Sequence, residues 1–401
     1  YMVISVALLG FGASGTLLVF AKKWLIRHAY WVTVVLMFLT SLSMCGVLLI
    51  SSSSSGRFDS FLLFVDPSHI LRLIALYFVF FIPFFFGAMA IGLTYISYVN
   101  KIGGLYFSDM TGSGIGGLAI LGLLWIFEPS RLPAVIAFIP LVAGTILLPV
   151  STLKRFFVLI ALLFALPLFF IISPPDLQLS QYKSLSKTLN IPGSEVIIRK
   201  KSPYGLIQVL QCPALRYAPG LSLAFTGEVP VRDAVFVNGD WFGPVMQESE
   251  HNSVHFLNYS TYNLPFVIST YSNVLVPDGG TGLFASHALS HNARKITLVE
   301  ENTVATDLLK NELAGRNDSL FSKPEISLVN LHSRSYLLSD SSLYDLIILP
   351  TIESFGGSSG IYALKEQFIF TSEALESIWD RTKADGVIAV TSWIDYPLRN
   401  P

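Results

Sequence analysis

The chain has 401 residues, of which 52% are hydrophobic and 13% charged, and its formal net charge is −1. A mean hydropathy of +0.59 excludes a single ordinary soluble domain of this length. No basic patch or tail indicates nucleic-acid binding, and the two cysteines, Cys45 and Cys212, provide neither a disulfide framework nor metal-ligand spacing.

The composition changes near residue 173. Residues 1–173 contain nine Lys and Arg and four Asp and Glu, whereas the remaining 228 residues contain seventeen and twenty-three. We therefore predict a polytopic α-helical membrane domain over 1–173 and a soluble α/β region after it. The chain starts directly in an apolar run, without the features of a signal peptide, so we expect it to begin inside a longer protein.

Six apolar stretches in the first region approach the ~20 residues that span a bilayer. They cover residues 1–20, 31–50, 70–98, 111–128, 133–150 and 156–173. Pro83 in the third favours a kink or tilt. Gly112 and Gly116 in the fourth share a helix face, which predicts close packing against a neighbour. Asp109, directly before the fourth, is either an interfacial acid near a helix N-terminus, which we favour, or part of an ion or proton path.

Basic residues are unevenly distributed between the predicted loops. The loops after the first, third and fifth stretches contain six Lys and Arg residues, and the opposite side contains three. The positive-inside rule places the first set in the cytoplasm. With six spans the soluble region would then lie outside, where nucleoside cosubstrates are not made. Either the span count differs by one, or the soluble region uses no such cosubstrate, and the side of the membrane stays open.

Residues 174–268 are predicted to form a linker and a small antiparallel β domain. Short β-like runs cover 196–198, 206–210, 221–225 and 234–237. Turn residues separate these runs, including Asn238 and Gly239, as expected for a small antiparallel sheet.

Residues 269–401 alternate between strand and helix patterns. The strands are predicted at 273–276, 296–299, 326–329, 346–349 and 387–390, and helices at 285–291, 303–313 and 371–382. This alternation predicts a Rossmann-like, doubly wound parallel sheet with ligands at the carboxyl ends of its strands.

A glycine-rich turn follows the first of these strands. Asp278, Gly279, Gly280 and Gly282 allow a tight turn and close approach of a ligand to the backbone at a helix N-terminus. Glu300, at the end of the next strand, can accept hydrogen bonds from both ribose hydroxyls. Together these features predict a nucleoside-binding ancestry.

Several motifs occur together in the chain. They are YFSD at 106–109, SPYG at 202–205, DGGTG at 278–282 with Glu300, YDLII at 344–348, GIYAL at 360–364 and DGV at 385–387. With them, 181–401 resembles the spermidine synthase (polyamine aminopropyltransferase) family, and the whole chain resembles its membrane-fused bacterial branch. The resemblance implies an S-adenosylmethionine-type ligand, or a decarboxylated or thioadenosine relative, in a protein of the bacterial inner membrane. It also implies that the sheet continues beyond residue 401.

The resemblance also locates changes in the catalytic groups. Family members use a carboxylate after the fourth strand to accept a proton from the attacking amine. Pro350 stands at this position, and Glu353 matches the second acid only approximately, as a weak catalytic candidate. His332 lies in the segment that would carry the acid for the adenine amino group. We therefore expect that ordinary aminopropyl transfer is absent.

Three functions follow as hypotheses. The first is a degenerate transferase domain that serves as a structural subunit of a membrane assembly, with membrane proteins or a second copy as partners. The second is an S-adenosylmethionine-type transferase with an altered substrate. The third is a transporter with Asp109 in a polar path and the soluble region as a sensor.

Two further constellations are weaker. His287 and His291, and likewise His251 and His255, have the four-residue spacing of a shared metal site, but no third ligand is recognisable and we predict solvated histidines instead. Tyr362 and Glu353 either line a small-molecule pocket or belong to a loop that keeps its geometry without a ligand.

Overall fold

The computed structural model describes residues 2–53, 62, 65–176, 179–215, 220–247, 256–351 and 368–392. The chain divides into two units, Tyr1–Ser180 and Gln181–Pro401, and each is described separately. All six apolar stretches of the first unit are helical, as predicted. Its helices are α1 (Met2–Phe20), α2 (Lys22–Arg27), α3 (Ala29–Ser52), α4 (Pro67–Ser97), α5 (Ile102–Ile126), α6 (Leu132–Leu147), α7 (Val150–Arg155) and α8 (Phe157–Ile172).

Four of the described helices, α1, α3, α4 and α5, are long and apolar enough to cross a membrane by length and composition. The fifth and sixth predicted spans are shorter than expected, because α6 and α8 have 16 residues each. At 1.5 Å per residue such a helix extends about 24 Å, less than the ~30 Å hydrocarbon thickness.

Glycines bring several of these helices into close contact. A Cβ on Gly10 of α1 would lie 2.8 Å from Cβ of Phe84 in α4, and one on Gly92 of α4 would lie 2.5 Å from Leu18 of α1. Small residues at a helix crossing permit this approach because no side chain separates the backbones. The α1–α4 pair therefore packs through glycine from both sides.

The α5 helix differs from its prediction. It begins at Ile102 rather than 111, so Asp109 lies in its second turn instead of before it, and the hydroxyl of Tyr95 donates a 3.2 Å hydrogen bond to the carboxylate. The prediction missed this start because polar residues interrupt the run of apolar residues. The helix itself continues through them. Added Cβ atoms on Gly112 and Gly116 would meet no described atom within 4 Å, so the predicted packing face is open in the chain.

The second unit begins with α9 (Ser184–Leu189) and a four-stranded antiparallel sheet. Its strands, in sheet order, are β1 (Glu195–Ser202), β2 (Gly205–Gln211), β3 (Val231–Val237) and β4 (Asp240–Met246). Asn238 and Gly239 both have positive φ, 53° and 78°, as the two-residue hairpin turn between β3 and β4 requires. The strand β4 was not predicted because it contains Pro244, which an edge strand tolerates.

The predicted strand at 221–225 is wrong. Only one isolated bridge, between Leu221 and Ser260, forms there. The hydroxyl of Ser222 accepts a hydrogen bond from Ala224 N, and Phe225 N donates to the Ser222 carbonyl. This local turn competes with strand pairing, although the alternating residue pattern favours a strand.

The remainder of the unit is an alternating α/β region. Its elements are α10 (Leu264–Ile268), β5 (Asn273–Val276), α11 (Leu283–Ser290), β6 (Lys295–Val299), α12 (Thr303–Lys310), β7 (Ile326–Val329), α13 (Ser333–Ser339), β8 (Tyr344–Ile348), α14 (Ser372–Asp380) and β9 (Thr382–Ala389). All strand pairs are parallel, in the order β7-β6-β5-β8-β9. The predicted doubly wound sheet is confirmed.

The strand order reverses between β5 and β8, where doubly wound sheets open a crevice at the carboxyl ends of their strands. Val274, Ile296 and Leu346 are fully buried in the centre of the sheet. Ile207 and Val235 of the antiparallel sheet belong to the same apolar cluster, so the two sheets share a core. That shared core fixes the small sheet beside the crevice.

Candidate functional site

A cleft of about 580 Å³ lies at the carboxyl ends of β5, β6 and β8, with the small sheet as its other wall. The residues of the parallel sheet that line it come from the turns after these strands and after β7: Asp278, Gly280, Glu300, Glu301, Asn302, His332, Pro350 and Thr351. Those of the small sheet are Tyr204, Val237, Asn238, Asp240, Trp241 and Phe242, and Phe368, Ile369 and Phe370 complete the wall. The cleft therefore occupies the predicted ligand position of a doubly wound sheet.

The turn between β5 and α11 requires its glycines. Gly280 and Gly282 have φ values of 53° and 84°, which side chains other than glycine rarely adopt. A Cβ on Gly279 would lie 2.5 Å from Leu298 Cγ, and one on Gly282 would lie 2.8 Å from Leu320. The turn is thus tight against the core, and Gly280 faces the cleft directly.

Asp278 connects this turn to the start of α13. It has a φ of 47°, and its Oδ1 accepts a 2.5 Å hydrogen bond from the hydroxyl of Ser333, which in turn accepts from Asp278 N. Ser333 begins α13, the helix after β7. The carboxylate is therefore held in one orientation at the floor of the cleft.

Glu300 is the most constrained acid of the site. Its side chain is almost fully buried, with Oε2 accepting a 3.0 Å hydrogen bond from Gly280 N and Oε1 one of 3.0 Å from Asn302 N. Burial raises the pKa of Glu300 to about 7; the charges of Asp278 and Glu301 act in the same direction, and the two N–H donors oppose it. Each oxygen retains acceptor capacity, so the carboxylate can receive two further hydrogen bonds from a vicinal diol.

Asn302 is a residue of the cleft that the sequence reasoning missed. Its Oδ1 accepts from Ala305 N as the cap of α12, and the hydroxyl of Ser202 approaches the same atom at 3.3 Å. Ser202 also accepts from Tyr204 N in the β1–β2 turn. An Asn directly before a helix is a recognisable capping signal, which would have identified the position but not its contact with the small sheet.

The described part of the cleft lining is acidic. Four carboxylates line it, those of Asp240, Asp278, Glu300 and Glu301, and no Lys or Arg is among its described lining residues. Lys183, the residue directly before α9, forms a 2.6 Å ion pair with Asp240. Such a site favours hydroxyl groups and cations over phosphate groups, because anionic ligands meet like charge.

The end of β8 forms the other side of the cleft. Pro350 and Thr351 lie there, and the hydroxyl of Thr351 is 3.2 Å from that of Tyr262. Neither proline nor threonine is a proton acceptor near neutral pH. His332 lines the cleft after β7 and packs edge-to-face against Phe368 at 5.7 Å. Glu353 and Tyr362 lie outside the described residues.

The prediction of solvated histidines on α11 is wrong for His287, which is fully buried. Nε2 of His287 and Nε2 of His291 lie 3.0 Å and 2.9 Å from the same oxygen, Oδ1 of Asn258. The stacked ring of Phe266 lies 4.4 Å from that of His291. The pair therefore anchors the segment before α10 to α11. Among the described residues, no group of His, Cys, Asp and Glu could hold a metal ion. His251 and His255 lie outside them.

Comparison with known proteins supports the resemblance in a coarse form. No protein-family model matches the chain. The curated polyamine aminopropyltransferase 2 of Pseudomonas aeruginosa is 27% identical over 119 residues, which are 29% of this chain and 32% of that protein. The match thus spans about a third of the relative's length.

Two solved spermidine synthase structures also align with the chain. One, in complex with the transition-state analogue AdoDATO, is 18% identical with a TM-score of 0.32, and covers 49% of this chain and 55% of its own. The other, from Thermotoga maritima, is 17% identical with a TM-score of 0.33, and covers 49% and 56%. The sequence similarity to a polyamine aminopropyltransferase covers 29% of this chain.

Proposed function

We propose that the second unit is a degenerate aminopropyltransferase-like domain that binds an S-adenosyl or thioadenosine compound but does not carry out ordinary aminopropyl transfer. The observation that carries the proposal lies within one cleft. Glu300 is fixed by two backbone N–H groups beside the glycine turn, whereas Pro350 stands at the end of β8. The partial similarity to a polyamine aminopropyltransferase supports the assignment.

The ligand class follows from the chemistry of the cleft. The ribose diol of a nucleoside would donate to Glu300, and a positively charged sulfonium would be attracted by the surrounding carboxylates. The aromatic rings of Tyr204, Trp241 and Phe368 provide apolar surface for a base. A nucleotide with several phosphates would be repelled.

The role of Pro350 follows from the needs of the transfer reaction. An attacking amine is protonated near neutral pH and must lose a proton before or during attack, which a positioned carboxylate assists by about 10²–10⁴-fold. The resemblance places that carboxylate at Pro350. In its absence the domain serves as a binding or structural subunit, with a membrane protein or a second copy of the chain as its partner.

We further propose that the first unit lies in a lipid bilayer, the inner membrane of a bacterium. Four helices have the length and composition for this. Large apolar side chains on them are exposed, such as Leu8 by 67%, Phe20 by 85% and Leu118 by 74%. Water would make this exposure costly, at about 25 cal/mol for each Å² of apolar surface, whereas lipid chains would cover it.

A second function is favoured by the four carboxylates. They suit a cationic acceptor as well as a sulfonium donor, so an S-adenosylmethionine-type transferase with an acceptor other than a polyamine remains the alternative. Such an enzyme would consume its donor, whereas a binding subunit would leave it intact. Transport through a path at Asp109 is a third proposal, tested by uptake in an Asp109→Asn variant.

The deciding experiment is calorimetric titration of the full chain in detergent with S-adenosylmethionine, its decarboxylated form and methylthioadenosine. Micromolar binding is expected, and Glu300→Ala should weaken it by about a hundredfold, because the diol loses its acceptor and two backbone N–H groups lose their partner. Glu301→Ala is the matched control, since its carboxylate lines the same cleft.

Incubation of the decarboxylated donor with polyamines completes the test. Intact donor after binding supports the degenerate domain, and release of methylthioadenosine at an enzymatic rate overturns it. Absence of binding by a folded chain would reject the nucleoside site itself.

A further inference from the structure

One end of the first unit is built from the connections α1–α3, α4–α5 and α6–α8. The hydroxyl of Tyr30, at the start of α3, donates a hydrogen bond to the carbonyl of Leu147 at the end of α6. Leu25 of α2 shares an apolar cluster with Leu93, and Ile96 packs against that cluster near the end of α4. The three connections therefore lie at the same end of the helices.

This end, which we call the basic end, has six exposed cationic side chains: Lys22, Lys23, Arg27, Lys101, Lys154 and Arg155. The connecting residues 21–28, 98–101 and 148–156 contain no Asp or Glu. Within the part of the chain that the structure describes, none of the six cations forms an ion pair. The nearest acid along the sequence is Asp109, two turns into α5, where it accepts from Tyr95. Among the described residues, no acidic side chain therefore compensates this positive charge.

The short helix α2 holds three of these cations in place. Leu25 is 4% exposed and packs in the α1–α4 core, while Lys22, Lys23 and Arg27 are exposed on the same helix. Because Leu25 anchors the helix to the bundle, the backbone that carries the three cations has a fixed position.

Aromatic side chains accompany the charge. Trp24, Tyr30 and Trp31 are exposed by 59%, 41% and 50%, and the Arg155 guanidinium lies 5.6 Å from the centre of the Phe156 ring. Exposed Trp and Tyr concentrate where hydrocarbon meets headgroups, because their rings are apolar and their N–H or O–H groups are polar. The basic end therefore combines headgroup-level rings with cations.

The opposite end has a different charge balance. Its described residues include Asp66, Glu128 and Asp176 beside Arg72 and Arg131. Arg131 donates to the carbonyl of Ile171, so part of its donor capacity is used within the bundle. Among the described residues, the two ends of the unit therefore differ in charge.

We propose that the basic end binds the phosphate groups of anionic phospholipids. The proposal rests on the membrane insertion proposed above and goes beyond it, because insertion alone needs no preference among lipids. Six cations at headgroup depth, without an ion-pair partner among the residues that the structure describes, attract anionic lipids over zwitterionic ones, and the fixed position of α2 strengthens the attraction. Lysine and arginine both provide several N–H donors for a phosphate diester.

The test uses tryptophan quenching in the full chain, reconstituted into vesicles with brominated phosphatidylglycerol or brominated phosphatidylcholine. Trp24 and Trp31 lie beside the cations and report on nearby lipid. We expect phosphatidylglycerol to bind at least threefold more strongly, and K22Q/K23Q/R27Q to lose most of this preference. Arg72→Gln, which removes one exposed cation at the other end, should retain it.

Each outcome decides a separate point. Equal quenching by the two lipids in an inserted chain overturns the proposal, as does displacement of the preference by millimolar glycerol 3-phosphate, which would assign the end to free phosphate. If the triple variant does not fold, K154Q/R155Q tests the other connection. Extraction of the chain by alkaline carbonate would reject membrane insertion itself, independently of nucleoside binding and of lipid preference.

Discussion

The two sides of the cleft differ in the groups that line them. At the ends of β5 and β6, the positive-φ glycines, Asp278 and Glu300 form a connected arrangement of backbone and carboxylate groups. At the end of β8, Pro350 and Thr351 offer no carboxylate. Under the proposed function, nucleoside binding and proton transfer depend on different strands of this sheet, so one could be lost while the other persists. We call these the binding side and the β8 side.

Pro350→Asp is expected to have the largest effect of the proposed variants, because it changes the β8 side alone. A carboxylate at the end of β8 would supply the proton acceptor that the amine needs, and we expect transfer from decarboxylated S-adenosylmethionine to a polyamine to rise about a hundredfold above background. Nucleoside affinity should change less than about threefold, since the binding side is untouched.

Release of methylthioadenosine measures the effect, and Pro350→Asn is the control, because its amide has a similar shape but cannot accept the proton. Equal rates in the two variants would show that the loss of transfer does not depend on this position.

Gly282→Ala tests the binding side through its backbone. Alanine at a φ of 84° is strained, and its Cβ would lie 2.8 Å from Leu320, so we expect about 2 kcal/mol of destabilisation and a lower melting temperature. Gly315→Ala is the matched control, because a Cβ there meets no described atom within 4 Å. Equal melting temperatures of the two variants would contradict the assigned role of the turn.

The pKa of Glu300 predicts how the stability of the domain and its ligand binding depend on pH. Since burial raises it from 4.5 to about 7, the folded state holds the proton more tightly than the unfolded state. Stability should therefore fall as pH rises from about 4.5 to about 7, by on the order of 3 kcal/mol. Ligand binding should follow the opposite sign, because ribose hydroxyls donate to the ionised form.

We expect nucleoside affinity to increase about tenfold between pH 6 and pH 8, measured by titration at constant ionic strength. Glu300→Gln should remove the dependence, because the amide does not titrate. An affinity that is constant in the wild-type chain would place the diol elsewhere.

The smallest expected effect concerns the small sheet. Asn238 accepts a 2.9 Å hydrogen bond from Leu206 N and donates to the Tyr204 carbonyl. Asn238→Gly keeps the positive φ but loses both bonds, so we expect about 1 kcal/mol of destabilisation and less than threefold weaker nucleoside binding. Asn292→Gly, at another exposed position with positive φ, should be neutral or slightly stabilising.

Much of the parallel sheet could be predicted from sequence. The predicted bounds of β5 and β7 agree with the structure residue for residue, because turn residues flank both short strand patterns. The same reasoning failed at 221–225, where a serine hydroxyl accepts a hydrogen bond in a local turn. It also failed at β4, an edge strand whose Gly243 and Pro244 are uncommon in strands.

The site could be predicted only in part, for a similar reason. The glycine turn and Glu300 follow a known strand–helix pattern, and the structure brings both to one cleft. Asn302, Asp240 and Trp241 were missed because their place in the cleft depends on how the two sheets pack, which no local pattern records. The sequence also could not show that no described residue packs closely against Gly112 and Gly116 of α5.

Glu300 also belongs to a chain of hydrogen bonds that connects the two sheets. Its two oxygens join Gly280 to Asn302, Asn302 meets Ser202, and Ser202 holds Tyr204 N, so hydrogen bonds run without interruption from the glycine turn to the β1–β2 hairpin. A ligand that orders one end should slow amide exchange at the other. The backbone at Tyr204 would then respond to occupancy of the cleft.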